Sequence, residues 1–472
     1  MPTSKGSKKT RELKEKLVKE QTRSWDQLRE TEKKQVFSYA QGYRDFLNRA
    51  RTERSAVQSF VEFASKKGFK DFSAGGKNVR RVFHALRGKI LAMAVLGKKP
   101  MSDGIRIITS HVDCPRLDLK PNPLYEDTGL ALLKTQYYGG IKKYHWVARS
   151  LAICGTVIRG DGSTVQVEIG LNPEDPVFTI PDLLPHLAKK QMEQKASEFM
   201  PGENLNLIVG AFPYEDREAE ERVKLAVLDL LARKYNITEE DFTSAELQVI
   251  PAEPARDSGL DRSLVAGYGQ DDRVCAYTCF TALMDTEKPE HTAVAIFYDK
   301  EEIGSEGNTS AKSRVLEMFV MDLMHRTGVE PTSRNLFKVF FSSKALSADV
   351  TAAIDPTYPD VYEKRNSARL GYGINLTKYT GSGGKYMASD ANAEYAAWVR
   401  KLFNDNNIVW QAAGLGKVDE GGGGTVAKYL ANAGVDIIDC GPAILGMHSP
   451  LEVSSKDDVW MCHKAFKVFF SS

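Results

Sequence analysis

Two adjacent carboxylates, Glu301 and Glu302, follow the apolar, largely β-branched run 292–297 and are followed in turn by Gly304. The run reads as a buried strand, and the glycine turns the chain. Like charges at the exit of a buried strand resist joint ionisation unless cations or hydrogen-bond donors compensate them. Metal ions are the direct compensation, so the rest of the chain has to supply further ligands.

It supplies several. The strand-like segment 104–110 delivers His111-Val112-Asp113. Residues two apart in extended chain face one side, so one of His111 and Asp113 can ligate a metal while the other orients it. Taken alone, such a pair reads as surface loop. The glycine-punctuated turn 267–274 presents Asp271 and Asp272 ahead of an apolar helix, where acids also serve simply to complement the helix dipole. Asp349 closes a short strand, 347–349, and His448 follows the strand 435–441. Gly421–Gly424 precede a helix, 425–433, either as a flexible turn or as a backbone cradle. Strand ends are where open α/β sheets hold their ligands. Two histidines with several carboxylates suit zinc, cobalt or manganese, and no cysteine joins them, which argues against a structural zinc site. Five ligands, one of them bridging, hold two ions about 3.5–4 Å apart and leave a sixth carboxylate free as a base.

The elements behind these residues fall into blocks. The chain has 472 residues, more than one core usually holds. Hydrophobic residues are 42% and charged residues 27%, an ordinary globular balance, and the net charge of +2 gives no field favouring nucleic acid or an anionic membrane. No apolar run reaches membrane-spanning length. Six scattered cysteines without a paired spacing point to reduced thiols in the cytoplasm. The first 24 residues carry eight Lys/Arg against three acids and read as a basic arm leading into a solvated helix. Helical periodicity covers 10–67 and strands 79–88 and 89–97 follow. From about 122 to 262 short β-type runs dominate, with helical stretches at 183–199 and 216–235. Its histidines, His145 and His186, read as structural. Catalytic texture resumes at 267 and ends in a helix, 455–470. The expected division is a catalytic α/β domain over 1–121 and 263–472, interrupted by a β-rich domain over 122–262.

Ser110-His111-Val112-Asp113-Cys114-Pro115-Arg116, Tyr138-Gly139-Gly140, Asp271-Asp272-Arg273, the segment 298–305, Ser347-Ala348-Asp349 and Gly446-Met447-His448-Ser449 occur in this order. Together they resemble the M18 family of dinuclear metallo-aminopeptidases, the aspartyl aminopeptidase and aminopeptidase I group, from about residue 43 to 470. The overall look is closer to the bacterial aminopeptidase I-like branch. The resemblance implies a mixed central sheet flanked by helices with an inserted β-rich dimerisation domain. It implies hydrolysis of the N-terminal residue, acidic or neutral, from peptides. His111 and Asp349 would hold one divalent ion, Glu302 and His448 the other, with Asp271 bridging. Asp113 would orient His111, and Glu301 would be the general base. Zinc is the expected metal, with cobalt or manganese as alternatives.

The stretch after Asp349, Val350-Thr351-Ala352-Ala353-Ile354-Asp355-Pro356-Thr357, lacks the histidines usual in the aspartyl branch, which weakens an acidic preference. Lys378 and Lys385, flanking Gly381–Gly384, are the candidates for holding an acidic side chain, against a plain reading as solvated loop lysines. The resemblance also implies a tetrahedral dodecamer built from dimers, with His186 reaching a neighbouring subunit's site. The alternatives are a related co-catalytic metal carboxypeptidase or deacylase, or a catalytically silent self-assembling scaffold.

Overall fold

The computed structural model describes residues 7–74, 76 and 79–472. The first six residues of the expected basic arm lie outside the described residues. Among those described, no helix is long and apolar enough to cross a membrane.

A nine-stranded sheet forms the frame. Its strands are β1 (Lys70–Asp71), β2 (Arg81–Leu86), β3 (Ile90–Val95), β4 (Arg106–His111), β5 (Ala293–Tyr298), β6 (Lys344–Ser347), β7 (Ile374–Thr377), β8 (Trp410–Ala412) and β9 (Asp436–Gly441). Their spatial order is β1-β2-β3-β5-β4-β6-β9-β7-β8. β3, β4 and β5 are buried at every position, and β3 and β5 are accordingly apolar throughout rather than alternating, while β4 buries the polar Thr109, Ser110 and His111 at its end toward the site. β4 is parallel to both β5 and β6, with His111 opposite Tyr298 and Thr109 opposite Ser347. That register brings His111, the Glu301–Glu302 turn and Asp349 to one edge of the sheet. The architecture is the expected mixed α/β sheet flanked by helices.

Helices cover both faces. On one side lie α1 (Glu30–Arg49), α2 (Glu53–Lys66), α3 (Gln270–Met284), α6 (Ala393–Asp405) and α8 (Lys456–Ser471); on the other lie α4 (Val315–Arg326), α5 (Ser333–Ser342) and α7 (Ala427–Asn432). Phe60 of α2 joins the layers, with ring centroids 4.4 Å from Phe280 and 4.9 Å from Phe297. Truncating such a ring costs about 3–5 kcal/mol.

A separate six-stranded sheet, with its own buried cluster, is built from strands between Arg116 and Pro251. Its first strand, Arg116–Asp127, runs straight out of the site and carries the chain across the expected boundary at 121. A five-stranded sheet pairs Leu264–Gly267 with Glu452–Ser455, putting Gly267 opposite Glu452.

Local expectations fail where packing partners differ. The N-terminal helical block is broken into Lys8–Leu17, Ser24–Gln27, α1 and α2, with Thr52 capping α2. The strand expected at 347–349 lies earlier, at Lys344–Ser347, and leaves Asp349 beyond its end. The stretch 183–199 holds only a four-residue helix, Lys189–Met192. Pro185 interrupts it, and its apolar Leu183, Leu184, Leu187 and Met192 stay exposed, uncovered by any of the described residues.

Candidate metal centre

His111 ends β4 and is 1% exposed. Its Nδ1 lies 3.1 Å from the backbone carbonyl of Asp113 and 3.3 Å from Asp113 Oδ1, which fixes Nδ1 as the protonated nitrogen and turns Nε2 into the site. Asp113 is fully buried. Its Oδ1 accepts the Glu301 N–H at 3.2 Å, and its Oδ2 accepts the Glu302 N–H at 3.2 Å and the Tyr138 hydroxyl at 2.8 Å. Burial opposes its ionisation, but the hydrogen bonds and charge of His111 and the Tyr138 hydroxyl hold it below the usual carboxylate range.

Asp271 and Asp272 sit in the first turn of α3 with non-helical dihedrals, joined by a cis peptide. Asp271 Oδ1 lies 3.3 Å from His111 Nε2, and its Oδ2 lies 3.3 Å from His448 Nε2. His448 Nε2 is also 3.4 Å from Glu302 Oε2. Ligand atoms about 2.0–2.1 Å from one tetrahedral zinc stand about 3.3–3.4 Å apart, so all three separations are those of co-ligands. Two groups have ligand atoms close enough to share a cation: His111, Asp271 and Glu302, and His111, Asp272 and Asp349.

The donors fit such cations. His111 Nε2, Glu302 Oε1 and Asp272 Oδ1 are buried without a hydrogen-bond partner. Burial and then neighbouring carboxylates push Glu302, Asp272 and Asp349 well above the ordinary carboxylate range. Burial disfavours charge on His448, yet Asp271 and Glu302 raise it to about 10. This is the signature of negative charge awaiting a dication. Nitrogen and oxygen ligands without sulfur suit zinc.

Glu301 stands apart from both groups. Burial raises it to about 7, against the opposing pull of His111. The Tyr138-Gly139-Gly140 turn closes over the site. The Gly140 carbonyl lies 2.8 Å from His448 Nδ1, and a Cβ on Gly140 would come within 3.3 Å of the same nitrogen.

The structure thus brings His111, Asp113, Asp271, Glu301, Glu302, Asp349 and His448 together. Lys378 and Lys385 are elsewhere engaged: each places Nζ 2.8 Å from an oxygen of Asp390. His186 is exposed and belongs to neither ligand group. Asp272, the neighbour of the bridging candidate Asp271, accepts the His111 N–H on Oδ2 at 3.4 Å and belongs to the group with His111 and Asp349. One residue escaped sequence reasoning. Glu452, four residues beyond His448, accepts that residue's N–H at 2.9 Å. Its only sequence signal is an acid opening a buried strand.

A family model described as aminopeptidase I zinc metalloprotease (M18) matches residues 46–470. A probable M18 family aminopeptidase 1 of Borrelia garinii subsp. bavariensis is 47% identical over 452 residues, 94% of this chain and 98% of that protein. The crystal structure of an M18 family aminopeptidase from Thermotoga maritima superposes with a TM-score of 0.92 at 45% identity, covering 96% of this chain and 99% of that one. A structure described as the mApe1 dodecamer of S. cerevisiae superposes with a TM-score of 0.74 at 25% identity, covering 92% and 96%.

Proposed function

Since the chain belongs to the aminopeptidase I zinc metalloprotease (M18) family and is a metallopeptidase of that kind, we propose that it removes single N-terminal residues, acidic or neutral, from peptides at a two-cation centre. His111 and Asp349 would hold one cation and Glu302 and His448 the other, with Asp271 shared between them. One observation carries this reading: the two oxygens of Asp271 each lie 3.3 Å from a different histidine. A carboxylate so divided is placed to serve two ions at once.

The chemistry two divalent cations would supply there is a more acidic attacking water and a polarised scissile carbonyl. Glu301 takes the proton of that water and returns it to the leaving amine. An acceptor poised near neutrality is suited to both transfers, and Glu301 is raised to about 7 by burial. Asp113 keeps His111 in one tautomer and, through the two N–H groups it accepts, holds the Glu301–Glu302 turn against β4.

The chain is further proposed to work in the cytoplasm as a homo-oligomer, a tetrahedral dodecamer of dimers, with the inserted domain over 122–262 as the pairing unit. Six free, buried cysteines support the compartment. The likeness to the mApe1 dodecamer and the exposed Leu183, Leu184, Leu187 and Met192 support the assembly. His186, on the same exposed segment, is proposed to reach a neighbouring subunit's centre. Lys378 and Lys385 are proposed to offer a cation to an acidic substrate side chain, which would take the place of Asp390 as their partner.

The deciding assay uses aminoacyl-arylamides and their N-blocked equivalents, with and without chelator. Free-amine substrates are expected to be cleaved and chelation to abolish turnover. Equal cleavage of blocked substrates would replace this reading with that of a deacylase, and loss of neither class on chelation would remove the cations from it.

A further inference from the structure

Glu452 opens the strand Glu452–Ser455 and is 1% exposed. No lysine or arginine among the described residues pairs with it. Its compensation comes from backbone N–H groups. Oε2 accepts the N–H of Gln270 at 2.6 Å and of Asp271 at 3.2 Å, while Oε1 accepts the N–H of His448 at 2.9 Å. Asp271 and His448 arrive from distant stretches of chain, and theirs are the side chains that meet at 3.3 Å. One carboxylate therefore grips the backbones of two proposed ligands.

The surroundings hold that carboxylate still. Gln270 donates Nε2 to the Glu452 carbonyl at 2.6 Å and to the Val265 carbonyl at 3.1 Å. Gln270 Oε1 in turn accepts the hydroxyls of Ser454 at 2.6 Å and Tyr43 at 3.1 Å. The grip has a conformational purpose at His448, whose φ is +63°, a left-handed value that a side-chain-bearing residue keeps only when its neighbours over-determine it. Only a carboxylate offers acceptor oxygens in both directions, because an amide replaces one of them with a donor.

We propose that Glu452 is a positioning residue that sets the spacing of Asp271 and His448, and so the affinity of the cation those two share with Glu302. The inference rests on the ligand roles proposed above. It predicts an asymmetric effect: Asp271 serves both cations, but His448, the other residue whose N–H Glu452 takes, serves only one, and the remaining ligands proposed for the other, His111 and Asp349, make no hydrogen bond to Glu452.

The test is a stepwise zinc titration of the metal-free full chain against a chromophoric chelator, for wild type and Glu452→Gln, with cobalt absorption spectra of both. Wild type binds two ions. The variant is expected to bind one of them about 10–100-fold more weakly, as outer partners of metal ligands generally do, with an altered cobalt spectrum at that site. The metal-free melting temperature is expected to fall less than that of the metal-loaded protein. Equal affinities in variant and wild type, or an equal weakening of both sites with an equal fall in both melting temperatures, overturns the proposal. Glu452→Asp, which keeps the charge but shortens the reach by one methylene, is the second variant should the amide fail to fold, and the same selective loss is expected of it. If wild type itself binds no second ion, the two-cation reading fails, an outcome separate from symmetric behaviour in the variants.

Discussion

The Asp113 carboxylate lies beneath Glu302, taking its backbone N–H at 3.2 Å on the same oxygen that receives the Tyr138 hydroxyl. Its other oxygen takes the Glu301 N–H and stands 3.3 Å from His111 Nδ1. Asp113→Asn keeps the shape but converts one acceptor into a donor facing another donor. Cation affinity and kcat/KM are expected to fall about 10–100-fold. Equilibrium metal content and steady-state rates check this, and an unchanged kcat/KM would remove Asp113 from the positioning role.

Neither ligand group contains Glu301 or Asp113, and Asp113 is already engaged by His111, Tyr138 and two backbone N–H groups, which leaves Glu301 as the carboxylate free to take a proton. Glu301→Gln is therefore expected to retain both ions while losing about 10²–10⁴ in rate, the usual range for a proton-transfer group. The same role sets the pH profile. The base must be ionised, so kcat/KM rises with pH through an acid limb. Burial, reinforced by Asp113 and Asp271 and opposed by His111 and His448, places Glu301 at about 7 in the metal-free chain, and adjacent cations favour its charged form, so the limb is expected at or below about 7. Elemental analysis and pH–rate profiles of both proteins check this; a fully active amide variant would sink the assignment.

Removing the metal has a signed consequence for stability. In the metal-free chain Glu301, Glu302, Asp272 and Asp349 all have raised pKa values in the fold. Folded protein then holds protons that unfolded chain has released, so raising the pH destabilises it. His111 and His448 act in the same direction, because their raised values give stability that is complete below about 6.5 and lost as pH rises toward 10 and beyond. Asp113 and Asp271 are depressed, so their contribution is already complete above pH 5. The melting temperature of chelated protein is expected to fall between pH 5 and 8, and zinc to lessen that fall. Thermal scans across this range check it, and a metal-free protein that stabilises with pH would contradict the charge state described here.

The candidate site was more legible than the segments around it. His111 ends a buried strand, Glu301, Glu302 and Asp349 follow its two neighbours, and the parallel register of the three brings them together. Asp271 and Asp272 were both legible as acids in one turn, but residue type does not divide them between partners; the turn into α3 does. Glu452 was missed because its function lies in backbone N–H groups, which no residue type announces. The failed helix over 183–199 has another cause. Its periodicity is present, but helices take most of their stability from burying a face, and none of the described residues covers Leu183, Leu184 and Leu187.

That exposed segment supplies the fourth prediction. If its leucines are covered by other copies of the chain, then Leu184→Glu together with Leu187→Glu places charge in an apolar contact and dissociates the assembly. Multi-angle light scattering is expected to show wild type as a large homo-oligomer and the double variant as a smaller species. A wild-type monomer, or a variant of unchanged mass, would take this surface out of the assembly.

The last prediction separates Asp271 from Asp272. Both are buried acids in one turn, but their oxygens are used differently. Asp271 divides its two oxygens between His111 and His448, at 3.3 Å each. Asp272 gives one oxygen to the His111 backbone at 3.4 Å and is grouped with His111 and Asp349 rather than with His448. Asp271→Asn replaces one of two ligand oxygens with an amide nitrogen that does not bind zinc, and leaves the other without charge. Both ions are expected to be lost or greatly weakened, since each relies on that side chain. Asp272→Asn leaves the bridge intact, and only the ion beside His111 and Asp349 is expected to weaken. Two-site zinc titration of the variants distinguishes the outcomes. Two retained ions in Asp271→Asn, with both lost in Asp272→Asn, would move the bridge to Asp272.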